Sequence, residues 1–158
     1  MSAQEMVDFL HSQRTAIIAT TRKSGSPVMH AVWYVYLDSA IYINIQRSSF
    51  KFTNMLRDPR VSALVEDGEN YFELRGVSVE GEAAEVTDDA EILRVQDAQD
   101  AKHQRIGSGT EGLPNYFEKS REERLKRGDR VLVRIPMSVV RSWDFGKARS
   151  HYQPGEKS

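Results

Sequence analysis

The chain has no cysteine among its 158 residues. That single absence excludes disulfides, thiol nucleophiles, iron–sulfur clusters and thiolate zinc sites. No apolar run approaches the roughly 20 residues that a membrane-crossing helix requires. The opening Met1-Ser2-Ala3-Gln4-Glu5 lacks the basic-then-apolar pattern of a secretory signal. Neither sign of charge is in excess, with 22 Lys and Arg against 23 Asp and Glu. That balance argues against a domain that coats nucleic acid and against an acidic solvating tail. Also missing are a Gly-x-Ser-x-Gly elbow, a phosphate-binding Walker loop and a glycine-rich dinucleotide fingerprint, so hydrolase and nucleotide-triphosphatase readings have no support. The four histidines, His11, His30, His103 and His151, are scattered, and none has metal-site spacing to another ligand. What remains is one soluble domain, expected to be cytoplasmic, with no nucleic-acid or membrane partner and no evident reactive group of its own.

What is present reads as alternating strands with a few helices. Ser2 and Glu5 stand at capping-box spacing, and Met6, Val7, Phe9 and Leu10 follow at helical spacing. Thr15 to Thr21, Val28 to Leu37 and Ala40 to Ile45 are expected strands, joined by Gly25-Ser26-Pro27 and Asp38-Ser39 turns. Short turns make them an antiparallel meander. Gln46 to Asp58 is expected to be helical, with Phe50, Phe52, Met55 and Leu56 on one face and Pro59 ending it. Val61 to Glu66 is a further strand. Tyr71 to Thr87 reads as one bent strand or two, with Gly76 and Gly81 marking a bulge or barrel corner. A charged helix from Asp88 toward Arg105, a glycine-rich stretch over Gly107 to Asn115 and a polar helix over Tyr116 to Arg127 form an insertion at about 88–127. Strands over Val131 to Ile135 and Val139 to Phe145 complete a single domain spanning 1–147, followed by a tail at 148–158. The fold class expected is α+β, mainly β: an antiparallel barrel of about seven strands decorated by helices.

Three segments are candidates for chemistry. Arg47-Ser48-Ser49-Phe50-Lys51-Phe52-Thr53-Asn54 follows a strand and opens a helix, where backbone N–H groups are unpaired and the dipole is positive. Two hydroxyls and a lysine there suit a phosphate cradle, but on residue types alone the commoner reading is that a serine caps the helix and the lysine is solvated. Ala31 to Tyr36 is a strand with Val32, Tyr34 and Tyr36 on one face and Ala31, Trp33 and Val35 on the other. Aromatics on both faces suit a core plus an interface or a planar ligand, and ordinary barrel packing is the favoured alternative on these residues alone. Arg141-Ser142-Trp143-Asp144-Phe145 carries a late tryptophan, which on a strand usually serves packing but is also favoured at interfaces and over flat rings.

Taken in order, these segments resemble the split-barrel flavin and deazaflavin oxidoreductases related to pyridoxamine 5'-phosphate oxidase. The matching landmarks are Arg14 to Thr20, Gly25-Ser26-Pro27, Val32-Trp33-Tyr34, the run from Ser49 to Val61, Arg75-Gly76-Val77 with Val79-Glu80-Gly81, and Arg141 to Asp144. The resemblance covers about residues 5 to 147. It implies a six- to seven-stranded split barrel of the FMN-binding type, acting as a homodimer with cofactor sites between the subunits. It places the cofactor phosphate on Lys51, Ser49 and Ser48, and the ring against Val32, Trp33 and the Ile45-Gln46 end of the meander. Thr20 and Thr21 fall where further polar contacts are supplied, and Trp143 where a partner subunit closes the site. Ile45 stands where relatives often carry a hydroxyl.

The activity implied is hydride transfer between bound FMN or F420 and a small organic acceptor, the cofactor supplying the reactivity. The catalytic residues are unassigned; His30 or Tyr34 is a candidate proton donor. Arg47, Arg57 and Arg60 offer charge for the acidic tail of F420. The substrate-binding pattern of the pyridoxal-forming enzymes is absent. A non-catalytic flavin, haem or tetrapyrrole carrier on the same fold is the competing reading, with His30 as the barrel's candidate axial ligand.

Overall fold

The structure is a computed structural model describing residues 1–106, 125–126 and 128–151, the side chains of 103–106 and 150–151 excepted. Of the expected insertion, residues 107–115 and most of 116–127 lie outside the described residues, as does the tail from 152 onward.

Helix α1 (Ala3–Ser12) starts as the sequence reads. The Ser2 hydroxyl accepts the Glu5 N–H at 3.2 Å and the Glu5 carboxylate accepts the Ser2 N–H at 2.5 Å. Strands β1 (Thr15–Thr21), β2 (Pro27–Leu37) and β3 (Ala40–Gln46) form the meander. Asp38 and Ser39 both adopt positive φ, 49° and 55°. That is the handedness which lets a two-residue turn join right-twisted strands. Helix α2 (Phe50–Arg57), β4 (Arg60–Asp67), β5 (Arg75–Glu82), β6 (Ala84–Glu85), α3 (Asp89–Ile106), β7 (Arg130–Pro136) and β8 (Val139–Asp144) follow.

All eight strands join one antiparallel sheet in the order β6-β7-β3-β2-β1-β4-β5-β8. The two edge strands, β6 and β8, are the direct continuations of β5 and β7. Both chain corners meet there: the Ser138 N–H donates to the Glu80 carbonyl at 3.0 Å, and a Cβ on Gly81 would strike the Pro136 carbonyl. The sheet therefore curls into the expected split barrel, with eight strands rather than six to seven. The stretch expected as one bent strand or two is two, β5 and the two-residue β6, parted just beyond the Gly81 corner. Tyr71–Glu73, expected to begin a strand, is a single 3-10 turn closed reciprocally by Asn70 and Glu73.

Ile18, Ile41, Ile43, Val65, Val77, Val79, Val131 and Ile135 fill the interior, each essentially without solvent contact. Burying a side chain of this size contributes roughly 1.5–3 kcal/mol. A second cluster of Val35, Tyr42, Ile92, Val95 and Leu132 seats α3 on the outside of the sheet. Buried Lys102 fastens α3 further: its ammonium donates to the Tyr34 carbonyl at 3.1 Å and lies 3.6 Å from the centre of the Tyr34 ring.

Helix α2 departs from its expected face. Phe52 and Met55 enter the core, whereas Phe50 and Leu56 are 85% and 70% exposed.

Candidate functional site

Strand β2 belongs to two ladders in turn. From Pro27 to Trp33 it pairs with β1, and from Tyr34 to Leu37 it pairs with β3. Strand β3 continues to Gln46 on its other side, against β7. The edges of β2 over 28–33 and of β3 over 44–46 that would have met have therefore parted, which is the split. Carried on in register, the broken ladder would set Ala31 against Gln46 and His30 against Arg47. His30 Nδ1 is buried here without a hydrogen-bond partner. Leaving such an atom unpaired costs about 1–3 kcal/mol, which sets His30 apart from the other buried polar groups of the barrel.

Helix α2 begins at the end of this opening. Gln46 ends β3, exposed, and its carbonyl accepts the Ser49 N–H at 3.1 Å and the Ser49 hydroxyl at 2.7 Å. The Ser49 oxygen also accepts the Phe52 N–H at 3.4 Å, so Ser49 is the N-cap. Its proton is committed to Gln46, and its part in any cradle is to shape the turn. The exposed Ser48 hydroxyl, the half-buried Lys51 ammonium and the amides of Phe50 and Lys51 take no partner among the described residues. One cation, one hydroxyl and two N–H groups thus belong to the residues that open this helix, whose end is positive, and such a donor set suits a phosphate ester.

The nearby arginines are already engaged. Arg47 is forked onto Glu85, which raises its pKa above the ordinary arginine value, and its guanidinium lies 5.5 Å from the Phe52 ring centre. Arg60 forks onto Asp58 at 2.8 and 2.9 Å, and that hydrogen-bonded guanidinium holds the Asp58 carboxyl at about 2. Arg57 donates to the Thr21 carbonyl and, at 3.2 Å, to Asn54 Oδ1. All three arginines thus have partners within the chain, and the pairs of Arg47 and Arg60 are exposed to solvent, so their placement leaves the choice between FMN and F420 open.

The remaining nominated residues separate into three places. Val32 packs inward against the core, while Trp33 points outward and keeps 39% of its surface exposed. Thr20 is buried and its hydroxyl accepts from Asn54 Nδ2 at 3.0 Å; it and Thr21 border an open cleft of about 710 Å³ shared with Arg60, Glu80, Glu82 and Ser138. That cleft touches neither the α2 opening nor Trp33. Trp143 lies on edge strand β8 with its ring where a Cβ on Gly76 would sit, which is why glycine is required there.

Trp33 and Trp143 nevertheless share one face. Adjacent rows across five strands read Met29–Ala19–Ser62–Glu80–Val139 and Ala31–Ile17–Leu64–Ser78–Arg141. The next row in the same register runs from Trp33 through Thr15, Glu66 and Gly76 to Trp143. The two tryptophans thus bracket a surface about 19 Å across, four strand spacings. Ala19, Ile17, Ser62, Leu64 and Ser78 lie between them together with Glu66 and Glu80, the latter paired with Arg141, and Met29 and Val139 are both exposed on this face.

A helical projection sets Asn54 off the apolar face with Lys51 and Arg57, but in the structure it is buried beside Phe52 and Met55, its amide satisfied by Thr20 and Arg57. Tyr34, the alternative proton donor, is fully engaged: its hydroxyl donates to the Leu10 carbonyl at 2.6 Å, and burial raises its pKa. Among the described residues no group of three or more acidic or histidine side chains is placed to hold a metal, and no helix is long and apolar enough to cross a membrane.

Comparison with known proteins accounts for this architecture. A conserved hypothetical protein from Mycobacterium tuberculosis, Rv2991, is 35% identical, with 100% of this chain and 92% of that chain covered and a TM-score of 0.77. A FAD-binding protein from Mesorhizobium loti matches at 22% identity, covering 90% of this chain and 93% of its own, with a TM-score of 0.60. The haem storage protein HutZ from Vibrio cholerae matches at 17%, covering 88% and 92%, with a TM-score of 0.62. The last two share the fold. No curated protein matches. Residues 2–144 fit the family described as pyridoxamine 5'-phosphate oxidase. The chain belongs to the pyridoxamine 5'-phosphate oxidase family.

Proposed function

We propose that this protein is a flavin- or deazaflavin-dependent oxidoreductase that holds FMN or F420 and passes hydride to a small organic acceptor. The observation that carries this reading is the unsaturated start of α2 at the split between β2 and β3, within a chain of this family. Lys51, the Ser48 hydroxyl and the Phe50 and Lys51 amides hold the phosphate. Val32, Trp33 and the Gln46 end of β3 border the ring, and His30 Nδ1 gives the barrel side one polar contact. Thr21 is an outlying contact. When bound, the cofactor supplies the hydride chemistry; the chain orients it and keeps apolar surface around its ring.

The working unit is a homodimer. A two-fold axis through the middle of the five-strand face exchanges its edges, so each Trp33 faces the Trp143 of a second copy. Within one chain the two indoles cannot meet. Face-to-face packing of this kind also covers Met29 and Val139, whose exposure is otherwise unexplained.

The optical spectrum of the purified protein, followed by fluorescence titration with FMN and with F420, tests the reading. Binding of either ligand is expected, with Lys51→Ala lowering its affinity roughly ten- to a hundredfold, as loss of a charge-assisted contact does. Absence of binding to both overturns the proposal. A Soret band on haem addition that disappears in His30→Ala would favour the carrier reading instead, for which the unpaired His30 nitrogen is the supporting feature.

A further inference from the structure

Buried polar side chains are few among the described residues: Thr20, Asn54 and Lys102. Two of these bond one another, Asn54 Nδ2 donating to Thr20 Oγ1 at 3.0 Å. On its other side Asn54 Oδ1 accepts from the Arg57 guanidinium at 3.2 Å, and that guanidinium also donates to the Thr21 carbonyl. The amide of Asn54 is thus engaged through both its donor and its acceptor, and the chain of bonds ties the second half of α2 to the last two residues of β1.

Apolar anchors alone would leave this helix poorly registered. Phe52 and Met55 set how deeply α2 sits, but dispersion contacts tolerate a slide of a fraction of an ångström, particularly with a side chain as adaptable as methionine. Hydrogen bonds from a planar amide do not, because they weaken steeply with angle. Helix α2 has only eight residues. Lys51 lies three residues before Asn54, about 4.5 Å along the axis. A shift at Asn54 therefore reaches Lys51 undiminished.

We propose that Asn54, held by Thr20 and Arg57, is a positioning residue that sets the height and rotation of the phosphate-holding end of α2. Thr20 then acts through the helix rather than by touching ligand. The inference rests on the assignment of the α2 start as the cofactor-holding end. It explains why a polar pair occupies a core position where leucine and valine would pack as well: exchanging both partners of a buried hydrogen bond for apolar groups of similar shape is nearly neutral for stability.

The test is the paired variant Thr20→Val with Asn54→Leu, titrated with FMN and with F420 and melted without ligand. The melting temperature is expected to stay close to that of the unaltered protein, while affinity for the bound cofactor falls roughly ten- to a hundredfold, as for an ångström-scale misplacement. In a Lys51→Ala background the pair is expected to add little, since its effect passes through the same helix end. Thr20→Ser, which keeps the hydroxyl, is expected to bind normally. Unchanged affinity in the folded pair variant overturns the inference while leaving the site assignment intact. Failure of the unaltered protein to bind either ligand overturns both. Should the pair not fold, Thr20→Val alone is read by the same affinities, and equal loss with and without Lys51 would overturn the proposal.

Discussion

The two ends of α2 are built on opposite principles. At its C-terminal end Asn54, Arg57 and Asp58 are engaged: Asn54 with Thr20, Arg57 with the Thr21 carbonyl, and Asp58 with the Arg60 fork and its N–H at 3.2 Å. At its N-terminal end Lys51, the Ser48 hydroxyl and two amides have no partner among the described residues. One end spends its polar groups on holding the helix still; the other keeps them available. A donor end left unsaturated is useful only when its position is fixed elsewhere, so the saturated end is what makes the open end specific.

Substitutions along the helix separate these roles. The largest effect is expected from Phe52→Ala, which removes the buried ring under the helix. It should cost about 3–5 kcal/mol in chemical denaturation and abolish cofactor binding with it. A loss below about 1 kcal/mol would mean that the hydrogen bonds, not the core, hold α2 in place. The adjacent serines give a smaller and sharper contrast. Ser49→Ala removes the N-cap and should lower stability by about 1 kcal/mol. Ser48→Ala should leave the denaturation curve unchanged and weaken only the ligand titration. Equal stability losses at 48 and 49 would erase the distinction between a capping hydroxyl and a free one.

Much of this was legible from the residues. The Ser2–Glu5 box, the meander and the Asp58-Pro59 stop each rest on local rules that the tertiary structure does not override. The Gly81 corner followed from the same logic. Other features depend on distant segments. Phe50 and Leu56 look inward on a helical projection, yet only positions 52, 54 and 55 of so short a helix are buried. The β6 pairing lasts two residues and exists because β7 passes beside it. The engagement of Arg47 by Glu85 joins residues 38 apart, and Arg57 reaches back to the Thr21 carbonyl, so a basic cluster in sequence became a set of engaged guanidiniums in space. Thr20, read as a ligand contact by resemblance, is buried against a residue 34 positions away. The separation between open and closed polar groups is a tertiary property, and that is where residue patterns stop being informative.

The least of the expected effects probes the closed end by acid. Asp58, the C-cap of α2, has its carboxyl lowered to about 2 from an ordinary 3.8 by the hydrogen bonds from Arg60. Because the folded value lies below the unfolded one, the unfolded chain takes up this proton first as pH falls. The contribution is therefore complete above pH 3.8, declines through the interval below it and is gone once the folded carboxyl protonates near 2. Melting curves collected across that interval should show a shallower loss of stability in Asp58→Asn than in the unaltered protein. The two should differ most at neutral pH and converge at the acid end. The difference will be small, since the pair faces solvent and water screens it. Among the described residues no matching carboxylate contact restrains Lys51 at the other end, so Lys51→Ala should leave the acid slope as it was. If Lys51→Ala flattened the slope as much as Asp58→Asn does, the open end of the helix would be paired after all, and the contrast between the two ends would fail.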